Sequence, residues 1–369
     1  MTLDLTKFQV FAVGGYVRDR LLGYDPKDHD YVVCGATPDD MISAGFDPIE
    51  ASFPIFIHPQ TRDEYALARK ERKVAAGYHG FEVMFDPSVT IEEDLYRRDL
   101  TVNAMARRVI GWNDQGHAKL SNDVIDPFDG QQDLRDGVLR HVSEAFAEDP
   151  IRILRTTRFA ARYVFDIHPD TVELMGKIAS ELNNVPQERI WAEFEKGLCE
   201  NSPWLMFETL DECGAMETEA LRAYRGADTL RMRFITPNTV IHTRVCLAAL
   251  GFNDADYDTC RIPTEYARIS KAFNKHFEDL VNYKSKSTED RVRLFDAVRA
   301  FSDPMLLYKV LNVLKVYDEY FPTREIMSAV INDLADAVTV IAEDVAQRCK
   351  TGAEIKQKLF TARVNAIGS

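Results

Sequence analysis

The spacing of hydrophobic and polar positions changes character once along the chain. Up to about residue 140, short apolar runs rich in β-branched and aromatic residues alternate with turn signals, and they predict strands over 8–13, 30–33, 55–58, 64–68, 81–85 and 138–142. From about residue 148 the apolar positions recur at helical spacing, as over 151–164, 170–182, 190–198 and 330–347, with few strand signals. The pattern predicts an α+β chain, an α/β head followed by an all-helical remainder. Breaks within the helical part are weakly marked, the best candidates being Pro203 and the stretch 226–237. No internal repeat of fixed period and no low-complexity segment interrupts this layout.

The richest segment is FAVGGYVRDRLLGYDPKDHDYVV, residues 11–33. An apolar run leads into Gly14-Gly15, then Arg18 and Asp19, then Asp28 and Asp30 separated by one residue. This reads as strand, glycine turn, helix start, and a second strand carrying both carboxylates on one face, since side chains alternate along a strand. Two carboxylates side by side repel unless a cation lies between them, a role that suits a hard ion such as Mg²⁺. Glycines at a helix start let backbone N–H groups approach a phosphate. Alone, a GG pair is ordinarily a turn and a DxD a solvated edge; in this order within one β-α-β-like segment they are the parts that nucleotidyl transfer requires.

At 369 residues and 46% hydrophobic content the chain can fill two or more domains. Its six cysteines are scattered without a CxxC pair, which argues against a zinc site or a disulfide framework and fits a reducing cytosol. No signal-like or membrane-length apolar run is visible, so the expectation is a soluble, cytoplasmic protein with no membrane association. The net charge of −14 argues against sequence-blind nucleic-acid binding but leaves room for a local basic face. Solubility alone is a sufficient reason for the excess acid.

Two further clusters carry candidate chemistry. In EEDLYRRDLTVNAMA, residues 92–106, Arg97-Arg98-Asp99 precedes a possible helix with Asn103 near its start. Arginine forks match phosphate oxygens and a carboxylate accepts from ribose hydroxyls, although such a cluster also serves as an ordinary surface ion-pair group. In EDPIRILRTTRFAARY, residues 148–163, Arg152, Arg155, Arg158 and Arg162 are spaced by three, three and four, along one helix face. Four like charges in a stripe imply phosphate or carboxylate partners. Glu148 and Asp149 suit the start of that helix as caps, or accept hydrogen bonds from a base and orient Arg152. Between the clusters, residues 68–80 have the composition of a mobile loop or of a hairpin connection. None of the eight histidines stands at metal-ligand spacing.

GGYVRD with KDHD, EEDLYRRDLTVNAMA, DPFDGQQDLRDGVLRHV, EDPIRILRTTRFAARY and QERIWAEFEK follow the order of the five motifs of class II tRNA nucleotidyltransferases. These are the CCA-adding enzymes, relatives of bacterial poly(A) polymerases. HPQTRDEYALARKERK resembles their bacterial branch. The resemblance implies a polymerase-β-like catalytic head over residues 1–140, a helical neck with nucleotide-templating residues over 141–202, and a helical body and tail for tRNA over 203–369. It implies Asp28 and Asp30 as catalytic, Mg²⁺-binding residues. Gly15, Arg18, Arg98, Asp99, Asp149, Arg152, Arg155 and Arg158 become nucleotide contacts, with Asp149 and Arg152 as the template for CTP and then ATP and Glu148 steadying Arg152. The loop at 68–80 is tied to the switch from C to A addition. The partners implied are CTP, ATP and the acceptor stem and T-arm of tRNA. The chain departs from the bacterial branch after VIHTRVCLAAL, where no His-Asp doublet follows, so no phosphohydrolase activity is expected. Addition of only CC or only A, poly(A) synthesis, or a catalytically lapsed tRNA-binding protein are the alternatives.

Overall fold

The computed structural model describes residues 5, 7–49, 55–73, 81–347 and 349–367. The chain divides into two compact units, Met1–Glu193 with Glu208–Glu219, and Phe194–Phe207 with Ala220–Ser369.

The first unit is built on a seven-stranded mixed sheet. Its strands are β1 (Gln9–Val13), β2 (Asp30–Cys34), β3 (Asp47–Pro48), β4 (Ile55–Ile57), β5 (Glu64–Leu67), and, after the separate β6 (Arg69–Lys73) and β7 (Phe81–Phe85) hairpin, β8 (Ala106–Trp112) and β9 (Ala118–Leu120). They lie in the order β3-β4-β5-β2-β1-β8-β9. β1 and β2 are antiparallel with Phe11 opposite Val32, and β2 and β5 are parallel with Asp30 beside Glu64 and Tyr31 beside Tyr65. Both faces are covered, because β1 is apolar at every position that the sheet buries. Phe11, Val13 and Val32 pack with Ile91, Leu95 and Ala104 on one face. On the other, Tyr31 and Tyr65 stack at 4.5 Å and Phe46 meets Tyr65 edge-on at 4.9 Å.

Three expectations are corrected here. Strand β2 begins at Asp30, so Asp28 lies in the lead-in and the two carboxylates are not both strand residues. The segment after Arg98-Asp99 is no helix but a single 3₁₀ turn, Thr101–Asn103, running into β8. Its residues Leu100, Val102, Ala104, Met105 and Ala106 are all buried, which no one-sided helix would permit, and β8 completes the sheet beside β1. Within 68–80, residues 69–73 form β6, paired with β7 from Lys73↔Phe81 to Arg69↔Phe85; residues 74–80, including His79, lie outside the described residues.

Helices α1 (Gly15–Leu21), α2 (Pro38–Ser43), α3 (Ile91–Tyr96), α4 (Gly130–Asp136), α5 (Ile151–Tyr163), α6 (Pro169–Ile178) and α7 (Gln187–Leu198) follow in chain order. Both α2 and α3 start with a capping box, Thr37 with Asp40 and Thr90 with Glu93. At α4, a Cβ on Gly130 would stand 2.2 Å from the Thr101 carbonyl oxygen, so only glycine lets this helix sit against the turn that leads to β8.

The second unit is helical throughout its described residues, with its long helices over Thr264–Val281, Thr323–Val338 and Gly352–Ile367. The helix expected over 330–347 is two: one ends at Val338, where the Thr339 hydroxyl bonds back to the Asp336 carbonyl, and a short one spans Ala342–Ala346. Buried Arg244 fastens the loop before its helix by donating to the carbonyls of Thr236 at 2.8 Å and Thr239 at 2.9 Å. Among the described residues no helix is long and apolar enough to cross a membrane.

Candidate active site

The candidate residues converge within the first unit. Gly14, at φ +63, turns the chain from β1 into α1, and a Cβ there would stand 2.9 Å from Nη1 of Arg98. The glycine is therefore needed twice, for the backbone conformation and for the close approach of a guanidinium. Gly15 opens α1, and the place of its absent Cβ is 3.3 Å from Nη2 of Arg18.

Arg18 is buried, and it joins its chain neighbour to a residue 85 positions away. It donates through Nε to Asp19 at 2.9 Å and through Nη1 to the side-chain oxygen of Asn103. Asn103 in turn donates to Asp99 at 3.0 Å, and Asp99 accepts from Arg155 Nε at 3.0 Å and Nη2 at 2.9 Å. One unbroken chain of bonds thus links α1, the 3₁₀ turn and α5. The Arg18 guanidinium also lies 4.9 Å from the Phe159 ring and 5.1 Å from that of Tyr163.

Asp99 is buried. Burial alone would raise its carboxyl, but the charge of Arg155 and the bonds from Asn103 and Arg155 outweigh that and hold it well below the usual carboxylate range. Arg155 is raised in response, first by the Asp99 charge. Asp94, completely buried on α3, behaves alike: Arg97 at 2.9 Å and Arg98 at 3.2 Å overcome the cost of burial and keep it low. Asp94 also accepts from the backbone N–H of Arg69 at 3.4 Å, which ties the Arg97-Arg98 corner to the start of β6.

The arginine stripe finds its anions inside its own chain. Arg155 pairs with Asp99, buried Arg158 with Glu193 at 2.8 Å, and Arg162 with Asp19 at 3.5 Å. Arg152 donates to the carbonyls of Ala145 and Arg97, each at 2.8 Å, and so joins the first turn of α5 to the Arg97-Arg98-Asp99 corner. Asp149 accepts from the Ile151 N–H at 3.2 Å and from Arg189 at 2.8 Å. Arg18 is the candidate set most deeply in protein; Asp28 and Asp30 are the most open to solvent.

Asp30 stands at the start of β2, with Glu64 beside it in the register. Burial among its neighbours raises its pKa, Arg98 lowers it, and the charges of Glu64 and Asp28 raise it further. Negative charge from Asp28 and Glu64 and positive charge from Arg98 thus meet at Asp30. Among the described residues no three His, Cys, Asp or Glu side chains gather closely enough to hold a metal ion unaided. Asp28 and Asp30 could hold a hard divalent cation whose remaining ligands would come from water and substrate phosphates.

Sequence patterning passed over Asp94, Arg189, Glu193 and Glu64, and placed Asn103 only near the start of a possible helix. Arg189 and Glu193 are four apart and so share one face of α7, while Ile190 and Trp191 are buried. Opposite charges at that spacing beside an apolar face were the available signal.

Comparisons with known proteins bear on the fold that carries these residues. Residues 10–140 match the family described as the poly A polymerase head domain, and residues 164–219 match the probable RNA and SrmB-binding site of polymerase A. The chain is 54% identical over 210 residues to a multifunctional CCA protein of Paraburkholderia phytofirmans, 56% of this chain and 50% of that protein. It spans about half the length of the curated relatives it matches. Among solved structures, the Bacillus stearothermophilus CCA-adding enzyme in complex with CTP has a TM-score of 0.70 at 22% identity, covering 98% of this chain and 90% of that one. The Thermotoga maritima CCA-adding enzyme complexed with tRNA-CCA has a TM-score of 0.68 at 20% identity, covering 99% and 89%. The fold is therefore that of the CCA-adding enzymes, a polymerase-β-like head with helical extensions.

Proposed function

We propose that this chain, whose residues 10–140 belong to the poly(A) polymerase head-domain family, adds C, C and A to the 3′ end of tRNA from CTP and ATP with Mg²⁺, in the cytoplasm. The observation that carries the reading is the bonding between separate motifs. Arg155 to Asp99, Arg152 to the Arg97 carbonyl, and Arg98 against Gly14 join the glycine turn, the arginine corner and the Asp149–Arg152 turn, and the Arg98 charge acts on Asp30. In this division of labour the head at 1–140 carries the chemistry, 141–202 the choice of base, and 203–369 the RNA.

Asp28 and Asp30 would hold the divalent cation, which when bound lowers the pKa of the primer hydroxyl and offsets charge on the triphosphate. Arg18 and Arg98 flank the glycine turn where the phosphates of the incoming nucleotide would lie, and Arg155 and Arg158 supply positive potential behind it. The base is chosen by hydrogen-bond chemistry. Cytosine and adenine each present an exocyclic amino donor where uracil and guanine present a carbonyl oxygen. A carboxylate only accepts, so Asp149 favours the amino-bearing pair, and Arg152, which only donates, addresses the adjacent ring nitrogen.

The test is to supply tRNA lacking its terminal CCA with CTP, ATP, or both, and to size the products. Addition of C, C and A with both nucleotides is expected. A long A ladder would support poly(A) synthesis, which the head-domain match also accommodates. Asp28→Ala with Asp30→Ala is expected to abolish addition while gel-shift binding of tRNA persists; surviving addition would overturn the catalytic assignment.

A further inference from the structure

We infer that the cavity between the loop at 233–240 and the helix Pro304–Leu314, in the second unit, is a binding site for a free nucleoside monophosphate. Its chemistry is independent of the candidate active site and of the roles proposed there.

The cavity holds about 630 Å³, within the range of small-ligand sites. Four of the large apolar side chains that line it, Phe234, Val240, Met305 and Tyr308, keep 49–59% of their surface exposed. Scattered singly, such residues need no explanation; gathered round one cavity, they mark a place for a ligand. The helical wall is ordered by chemistry. Met305, Tyr308, Asn312 and Lys315 follow one another at helical steps, so they lie on one face of Pro304–Leu314 and its C-cap. An apolar group, a ring, an amide and a cation succeed one another there, with roughly 10 Å along the axis from Tyr308 to Lys315. That is the order of a mononucleotide: a base to stack, a base edge to bond and a phosphate to pair. An asparagine amide, with donor and acceptor side by side, matches N6 and N7 of adenine. From the loop side, Phe234 and Asn238 repeat the ring and the amide. Nε2 of His242, which also lines the cavity, is buried and has no hydrogen-bond partner among the described residues. A buried ring nitrogen left unpaired is costly, and a ligand can supply its partner.

The loop is held in advance of any ligand. Buried Arg244 donates to the carbonyls of Thr236 at 2.8 Å, Pro237 at 3.4 Å and Thr239 at 2.9 Å, and also to those of Leu198 and Glu200. None of these acceptors is a carboxylate, so a cation is spent on fixing a surface loop by its backbone. Within the loop, the Thr236 N–H donates to the Thr239 hydroxyl at 2.9 Å, and the Thr239 N–H donates to the Thr236 carbonyl at 2.9 Å. A wall already fixed needs no ordering when a ligand enters, which favours binding. Charge then selects the ligand class. Lys309 and Lys315 line the cavity, but Lys309 is bonded to Glu265 at 2.7 Å, and Asp318 and Glu319 line the cavity too. Two lysines suit a single phosphate. Three carboxylates beside them oppose a triphosphate or an RNA strand, whose charge is greater.

Equilibrium dialysis with labelled AMP tests the site, comparing the full-length chain with Tyr308→Ala, Lys315→Glu, and Asp28→Ala combined with Asp30→Ala. Tyr308 and Lys315 are exposed, so neither substitution disturbs a core. One AMP per chain is expected to bind with Kd at or below about 1 mM, the upper end of ordinary substrate affinities. Tyr308→Ala should weaken binding roughly tenfold, the scale of one base–aromatic stack, and Lys315→Glu by about as much. Removing Asp28 and Asp30 should leave AMP binding unchanged. Adenosine and inorganic phosphate should each compete at least about tenfold more weakly than AMP, since each carries only part of the recognised chemistry. Absence of saturable AMP binding, or wild-type affinity in either Tyr308→Ala or Lys315→Glu, would overturn the inference. So would loss of AMP binding with Asp28 and Asp30, which would put the nucleotide in the candidate active site. A short oligoadenylate that binds more tightly than AMP, and is lost in the same two variants, would make the cavity a contact for RNA and overturn the assignment to a free nucleotide.

Discussion

Replacing Asp99 by asparagine should destabilise the first unit by about 2–3 kcal/mol at neutral pH. The substitution keeps the volume and removes the charge. Asp99 accepts from the Leu100 N–H at 2.9 Å, from Asn103 at 3.0 Å, and from two nitrogens of Arg155 at 3.0 and 2.9 Å. All of these are donors, and asparagine must turn its own NH₂ towards one pair of them. Breaking a buried ion pair by removing one partner costs roughly 3–5 kcal/mol. The Arg155 side chain keeps 37% of its surface exposed, so water takes back part of that loss, which gives the lower figure. Urea unfolding should show a lower midpoint with an unchanged slope. The pH dependence checks the cause. Asp99 is depressed in the folded state, so its contribution is complete above the unfolded pKa of about 3.9. It declines below that value and is lost as pH falls through the lower folded pKa. The gap between wild type and Asp99→Asn should therefore be flat near neutrality and close only in strong acid. A gap below about 0.5 kcal/mol at pH 7, within the range of ordinary surface substitutions, would refute the buried relay.

Two glycines give sharper structural tests. Gly14→Ala places a Cβ at φ +63 and 2.9 Å from Arg98, so it should cost about 1–3 kcal/mol in chemical denaturation and raise KM for the nucleotide as Arg98 is pushed aside. Gly130→Ala meets the Thr101 carbonyl at 2.2 Å, a backbone atom that cannot swing away, and should lower stability by about 2–3 kcal/mol through displacement of α4; thermal melts equal to wild type would contradict the close approach.

Much of the head was legible because its strands are short, apolar and bounded by turns. Strands at 9–13, 30–34, 64–67 and 81–85 sit within a residue or so of their expected places. Strand β8 escaped because it begins inside a continuously buried run, where periodicity cannot separate strand from helix. The site was legible as an inventory and illegible as a wiring diagram. The stripe of arginines called for anions, and the sequence offered no means of naming them. Arg158 finds Glu193 35 residues away, Arg155 finds Asp99 56 residues away, and Arg162 finds Asp19 143 residues away. Such pairs are created where α5 meets α1, the Asp99 corner and α7. No local rule encodes them.

That wiring bears on how a single site would serve two bases. The carboxylates at Asp28 and Asp30 lie at the solvent-facing start of β2, whereas Asp149 and Arg152 lie at the start of α5. Between them run two kinds of link. The bonds from Arg152 to the Ala145 and Arg97 carbonyls use backbone acceptors, whose positions follow the fold. The relay Arg18–Asn103–Asp99–Arg155 uses side chains that are buried or paired. Neither link passes through Asp28 or Asp30, so under the proposed roles base selection is expected to be separable in energy from metal binding. A chain lacking both carboxylates should therefore still bind CTP and ATP in preference to UTP and GTP in equilibrium dialysis, at reduced affinity for all four. Loss of that preference would mean that the metal pair, and not the turn at Asp149, orders the base site.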